Sequence, residues 1–407
     1  MLHQMPQAAA PAPAPSQHPT ALIDLGVLQE AVRRLSRVSI RWSPQPLLSH
    51  VRIRFADGVM ILDGTDTEMS LRLELSAETS GAGDLVLTMR ALAGFAKTAR
   101  GPVTFTCFED ADDRRLRLSD GEIRITLATP VLPEDFPAPF AGMDAGWEDS
   151  ASDFTLSGDQ LTRLLGLGRH CISKEETRYY LNGTFLTSHP DTGMLRAVST
   201  DGHRMAIIDG EETVSFTEGP RQDGNAHEGG RPDGIILPVR VVDLLLTIAR
   251  DTGNLPLRFL ADARHLVLQA PGLRLTARNI DGTYPNYLAV LPAPSDRAVA
   301  HFSNAGLSRL RALVAASTDG RPNALVLDPA ANIATLKTGA KHELMVPLQG
   351  HADAALKGVP LGFSLPYLAA QARVTPSFTL KVGGPHLPAR LVSEIPDASW
   401  VLMPMRA

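Results

Sequence analysis

Ser199, Thr200, Asp201 and His203 crowd into one short run, AVSTDGHRM, and a hydroxyl, a carboxylate and an imidazole are the parts of a nucleophilic triad. Triad members normally converge from distant segments, so adjacency in sequence argues against a catalytic set here. The chain carries no G-x-S-x-G elbow, Walker loop, dinucleotide fingerprint, H-E-x-x-H or C-x-x-C. Its 12 histidines are scattered. The two cysteines, Cys107 and Cys171, exclude a disulfide scaffold and a multi-cysteine zinc centre, and they suit a reducing cytoplasm. No metal or other cofactor is expected, and an enzyme is the remote reading.

Charge is the stronger chemical signal. Lys+Arg number 39 and Asp+Glu 44, giving a formal net charge of −5, which excludes a strongly basic wrapper of nucleic acid. Six stretches of helical periodicity nevertheless hold thirteen basic residues: Arg33, Arg34, Arg37, Arg90, Lys97, Arg100, Arg163, Arg169, Arg240, Arg250, Arg309, Arg311 and Arg373. Against them stand four acidic ones, Asp24, Glu30, Asp159 and Asp243. The spacing of Arg90, Lys97 and Arg100 puts them on one face, opposite Leu92, Phe95 and Ala99. A solvated helical face explains any single helix. The same bias on all six predicts a basic surface on an acidic protein if the helices line one side.

The elements that must position these residues repeat along the chain. Leu25, Leu28, Val32 and Leu35 open a first helix; Leu161, Leu164 and Leu165 mark a second; Leu307, Leu310 and Val314 mark a third. Starting the first helix at Leu22 and the second at Ser157 gives an offset of 135 residues, which the pairs Thr65-Asp66 and Thr200-Asp201 share. Asp135-Phe136-Pro137 is echoed by Thr283-Tyr284-Pro285. Each copy has a further helical stretch, at Met89–Arg100, Pro238–Arg250 and Leu365–Arg373. Short alternating strands surround them, among them Val51–Phe55, Ile123–Leu127, Leu257–Leu260 and Phe378–Val382. Three copies of a strand-rich α+β unit are expected. They occupy 21–149, 150–294 and 295–407, behind an extended Ala/Pro leader over 1–20, and Phe216–Gly234 reads as a long polar surface loop. No apolar run reaches the roughly 18 residues of a membrane helix, and the start lacks a signal-peptide core, so a cytoplasmic chain without membrane contact is expected.

Four separated motifs, in order, carry a resemblance. TRYYLNG (177–183), AVSTDGHRM (197–205), IDGTYPNYLAVLP (280–292) and VLMPMRA (401–407) closely resemble the bacterial sliding clamps, the β subunits of DNA polymerase III. LDGTDTEM (62–69) and LPEDFP (132–137) add weaker agreement, and the resemblance spans the chain from about Ala21 onward. It implies an α+β chain of three similar clamp domains, with strands outside and helices lining a ring. A head-to-tail homodimer closes that ring around duplex DNA, without sequence preference and without catalysis. It confers processivity on a polymerase.

The resemblance also implies site residues. Leu181, Thr200, Gly202, His203, Arg204, Met205, Pro285, Val290, Val401, Met403, Pro404, Met405 and Arg406 match a pocket where polymerase subunits, the clamp loader and repair proteins dock short linear peptides. Aliphatic and Met side chains suit an adaptable apolar socket, although Met403 and Met405 taken singly are more often plain core. Arg33, Arg37, Arg41, Arg90, Lys97, Arg100, Arg178, Tyr179, Tyr180 and Arg240 are expected to face DNA or a partner. Ile125, Leu127, Val314, Ala315 and Ala316 stand at the expected dimer edges. Leu288-Ala289 occupies the place of an Arg pair in the resembling proteins, and Ala315-Ala316 that of bulkier aliphatics. Two further readings follow: a specialised clamp serving repair or a mobile element, and a clamp-like peptide-binding module that does not encircle DNA.

Overall fold

The computed structural model describes residues 18–39, 45–110, 113–137, 147–216, 233–293, 298–316, 324–328, 333–338, 342–347, 361–384 and 386–405. Most of the Ala/Pro leader and most of the 216–234 segment lie outside these residues, as do Arg41 and Arg406. The chain clusters into two compact units, Met1–Asp144 with Leu268–Ala277, and Ala145–Val267 with Arg278–Ala407.

In the first unit, α1 (Leu25–Val38) packs on α2 (Met89–Thr98). The helix expected from Leu22 begins later, because Thr20–Ile23 is a strand. Asp24 ends that strand and caps α1, its carboxylate accepting from Gly26 N at 2.8 Å and Val27 N at 3.1 Å. Leu28, Ala31, Val32, Leu35 and Val38 form the buried stripe, and Leu92, Phe95 and Ala96 answer it from α2. Gln29 Nε2 donates to Ala96 O at 2.8 Å, pinning one helix to the other. Five strands pair in the order Glu78–Ser80, Thr20–Ile23, Val103–Asp110, Asp113–Ser119, Arg124–Ala128. The last of these is an edge strand. A second antiparallel set runs Gly83–Thr88, His50–Ala56, Val59–Thr65, Met69–Ser76, with Leu273–Ala277 added alongside Met69–Leu73.

In the second unit, α3 (Trp147–Ser150) precedes α4 (Gly158–Gly166), which opens on a reciprocal cap between Ser157 and Gln160. Next comes α5 (Val239–Thr252), which packs on α4 and buries Val241, Val242, Leu244, Leu245, Ile248 and Ala249. The last two helices are α6 (Asn304–Ala316) and α7 (Leu365–Gln371). An eight-stranded antiparallel sheet runs Gly234–Pro238, Gly183–Ser188, Met194–Thr200, Arg204–Thr213, Ala398–Leu402, Ala389–Val392, Ser377–Val382, Ala298–Ser303. Its middle is a seam between distant segments, with Arg204 opposite Leu402, Met205 opposite Val401, and Ile208 opposite Ala398.

Side chains bolt that seam from behind. Trp400 is buried, and its indole donates to Leu167 O at 3.3 Å. Arg163 donates to Asp209 O at 2.6 Å and to Pro396 O. Trp400→Ala is expected to lower stability by about 3–5 kcal/mol, the usual cost of an emptied aromatic site. A urea titration followed by far-UV circular dichroism reads it; an unshifted midpoint contradicts the role given to Trp400.

Candidate functional site

The motif that first suggested chemistry is a hairpin turn. Thr200 Oγ1 accepts from Gly202 N at 3.1 Å and donates to Arg204 O at 2.7 Å, while Asp201 Oδ1 accepts from His203 N and Arg204 N, both at 3.0 Å. Gly202 takes the left-handed conformation this requires, at φ +86°. The same pattern recurs at Thr65–Met69: Thr65 Oγ1 accepts from Thr67 N, Asp66 Oδ1 accepts from Glu68 N and Met69 N, and Thr67 has φ +76°. Ser119, Asp120 and Gly121 build a third version. The repeated Thr-Asp pair is therefore a repeated turn, and Thr200 and Gly202 shape it. Ser199 is buried and shares its hydroxyl with Thr184 at 2.9 Å, so it has no nucleophile's setting.

What the turn presents is His203 and Arg204. Arg204 Nε donates to Asp201 Oδ2 at 2.9 Å, and its guanidinium lies over the Tyr367 ring at 4.3 Å. The His203 ring stacks toward the same tyrosine, with centroids 6.4 Å apart and planes at 26°. Burial first, then the Asp201 carboxylate, raise the Tyr367 hydroxyl above its ordinary range. Arg178 donates to Glu175 Oε2 at 2.6 Å, a bond that raises its pKa, and the guanidinium reaches the open face of Gly202.

The Met403–Met405 segment runs beside this edge. Met403 N donates to His203 O at 2.8 Å and Met405 N to Gly362 O at 2.9 Å. Met403 and Met405 remain 39% and 37% exposed, Val290 is 52% exposed, Pro285 is exposed and Pro404 half-buried. Leu181, Met205 and Val401 behave differently. They are buried in one cluster with Phe185, Val198, Ile207, Ile236, Tyr284 and Tyr287, which forms an apolar floor at this edge. Tyr284 stacks on Phe185 at 4.7 Å and donates to Val198 O at 3.2 Å. Tyr367 and Gly362 were not among the expected residues. The sequence marks a helical stretch from Leu365 but not a site there, and the bridge between Gly362 and Met405 brings the segment here.

The expected DNA-facing residues divide by element. Arg33 and Arg37 are exposed on α1, Arg90 and Lys97 on α2, Arg100 just past its end, and Arg240 at the start of α5. Tyr179 is exposed, and Arg178 and Tyr180 are half-buried. Some helix cations serve structure instead. Arg34 pairs with Glu30, Arg169 with Asp243 at 2.6 Å, and Arg163 binds the carbonyls named above. α5 also runs on to include Asp251, so the helices are less basic than the count of thirteen against four.

At the edge strand Arg124–Ala128, Ile125 is 43% exposed and Leu127 half-buried. With Ile123, Arg90, Phe95 and Thr98, Ile125 borders a pocket of about 430 Å³, which places Arg90 at this edge as well. Val314, Ala315 and Ala316 end α6, and their side chains lie outside the described residues. Among the described residues no group of His, Cys, Asp and Glu could hold a metal, and no helix is long and apolar enough to cross a membrane.

Residues 155–286 match the family model for the central domain of the DNA polymerase III beta subunit. The beta sliding clamp of Caulobacter vibrioides is 24% identical over 393 residues, covering 94% of this chain and 99% of the relative. That of Escherichia coli K12 is 28% identical over 255 residues, 62% of each chain. Among solved structures, the Caulobacter crescentus clamp superposes with a TM-score of 0.78 at 24% identity, over 96% of this chain and 99% of the other. The Bartonella birtlesii clamp bound to griselimycin gives 0.80 at 22%, over 96% and 100%. The fold is that of the sliding clamps.

The turn makes a paired prediction. Gly202→Ala forces a Cβ into the left-handed region and to within 2.6 Å of Arg178 Nη1, which has to move. A stability loss of about 1–2 kcal/mol is expected from the backbone alone. Thr67→Gly, in the matching turn, is expected to shift stability the other way or not at all. A stabilising Gly202→Ala or a destabilising Thr67→Gly, in urea titrations of both variants, contradicts the equivalence of the two turns.

Proposed function

We infer that the chain belongs to the beta sliding clamps, the non-catalytic processivity factors of DNA polymerase III. A clamp of this kind holds a polymerase to DNA by topology rather than by affinity. We propose three domains, at 21–149, 150–294 and 295–407, in each subunit of a homodimeric ring, with the Ile125–Leu127 edge of one subunit meeting Val314–Ala316 of the next. An edge strand with Ile125 exposed on it, and Ile123 exposed just before it, is chemically suited to such pairing. Arg33, Arg37, Arg41, Lys97, Arg100 and Arg240 are assigned to the bore, with Arg178, Tyr179 and Tyr180 at its mouth and Arg90 shared with the edge. Phosphate contacts from mobile basic side chains carry no sequence information and exchange readily, which sliding needs. A net charge of −5 is compatible, because a closed ring does not depend on strong attraction.

The observation that carries the docking proposal is the meeting of His203, Arg204 and Tyr367 with the exposed Met403 and Met405, over a buried apolar floor. Such a surface fits a short peptide with two or three apolar anchors: polymerase subunits first, then the clamp loader and repair proteins, in the cytoplasm. Leu288 half-buried and Ala289 exposed leave the Val290 side of the surface without a cation at those positions, which favours a less acidic peptide and, as a second reading, a clamp specialised for repair or a mobile element.

Removing Met403–Ala407 leaves the Ala398–Leu402 strand in place. The shortened protein is expected to keep its far-UV spectrum and its mass by light scattering. It is expected to lose at least tenfold in affinity for a peptide from the clamp-binding segment of polymerase III, since truncating a central anchor costs on the order of 2 kcal/mol. Fluorescence anisotropy measures it. Undiminished binding contradicts the pocket, and loss of folding makes these residues core.

A further inference from the structure

We propose that His170 is a positioning residue for the docking surface: through Gln371 it fixes the rotation of α7 and so sets the Tyr367 ring beneath the Arg204 guanidinium. The inference rests on the docking role assigned above to that edge.

A chain of hydrogen bonds defines the contact. Thr375 Oγ1 donates to Gln371 O at 3.2 Å. With its proton used, that hydroxyl can only accept from Gln371 Nε2, 3.3 Å away. This turns the Gln371 amide oxygen toward His170, whose Nε2 lies 3.0 Å from Oε1. With the amide oxygen so turned, Nε2 carries the hydrogen and donates it, and the buried Nδ1 has no hydrogen-bond partner among the described residues. Gln371 and Thr375 are fully buried, so the amide has no water to turn to.

Tyr367 and Gln371 are one turn apart on α7 and share a face. α7 has seven residues and no side-chain hydrogen bond at its cap, so its own bonds hold its orientation weakly. An apolar contact tolerates slippage, whereas a buried polar pair has one good geometry. His170 is held in turn by a 3-10 turn, Arg169–Cys171, in which Cys171 N donates to Gly168 O at 2.9 Å. The strap thus ties the turn after α4 to the helix that carries the aromatic wall of the site.

Asp201, Arg204, the Cys171 thiol at 3.4 Å and the Leu167 carbonyl face the imidazole. Burial, and then Arg204, lower its pKa to about 4, against the opposing influence of Gln371, Asp201 and Leu167. The ring is neutral at pH 7. Because the folded pKa lies below the ordinary 6.5, its contribution is complete above that value and is lost as pH falls from 6.5 through about 4.

The test combines peptide binding and imidazole spectra on the full chain. Against the polymerase III peptide at pH 7.5, His170→Phe and Gln371→Leu are each expected to weaken binding about threefold to tenfold, the worth of one buried hydrogen bond. The double variant should be no weaker than the worse single one. His170→Gln, whose amide can still donate to Gln371 Oε1, should restore most of the affinity. Nitrogen-15 spectra should show His170 neutral and protonated at Nε2 down to pH 5. Unaltered affinity in the single variants, additive losses, or a proton on Nδ1 overturns the proposal. Should His170→Phe not fold, Gln371→Leu, His170→Gln and the spectra decide it. Wild-type protein that fails to bind the peptide overturns the docking reading and this role with it. Wild-type binding with unaltered variants overturns this inference alone.

Discussion

The pairing of Arg204–Ile208 with Ala398–Leu402 is the constraint on which the site depends. Side chains alternate along a strand, so register decides everything at this seam. In the register observed, Met205 and Val401 face each other in the apolar cluster, while Trp400 packs on the opposite face and reaches Leu167. A slip by one residue would exchange Trp400 and Val401 between two buried layers, putting an indole where the cluster holds a valine and leaving Leu167 O without its donor. The same register delivers Met403 N to His203 O, and so the exposed methionines to the His203–Arg204 edge. Distant segments thus become one surface through a backbone ladder, before any side chain of that surface makes a contact of its own.

Polar groups then refine what the ladder sets. Asp201 closes the turn and holds Arg204; Arg204 covers Tyr367; Gln371 joins α7 to His170. Further away the same economy governs charge. Arg54 and Arg72 converge on the buried Asp63, and Arg196 pairs with Asp209 beneath Tyr287. Cations spent in this way stabilise strands and are unavailable to a nucleic acid. Arg33 and Arg37 on α1, Arg90 and Lys97 on α2 and Arg240 on α5 are exposed, which is how an acidic protein can present basic helices.

Helical periodicity was legible because the buried stripes are regular. Leu28, Val32 and Leu35 in α1, and Leu161, Leu164 and Leu165 in α4, stand where the spacing predicted. The start of α1 was misplaced at Leu22, since Leu22 and Ile23 fit an apolar helix pattern equally well, and only the cap at Asp24 separates strand from helix. Met205 and Val401 carried the right chemistry for a socket but gave no sign of their depth, which alternation along two paired strands determines. Tyr367, Gln371 and His170 were invisible as site residues because nothing local links them; their association exists only after α7 is docked. The helix charge count overstated the free charge for the same reason, since Arg169–Asp243 and Arg163–Pro396 join residues far apart in sequence.

Topology separates encirclement of DNA from adhesion to it. The protein, loaded by a bacterial clamp loader onto nicked circular DNA and passed through a sizing column, is expected to remain with the circle at salt that screens phosphate contacts. Cutting the circle once should release it from the free ends. Equal retention on circular and linear DNA, or release from both, contradicts a closed ring.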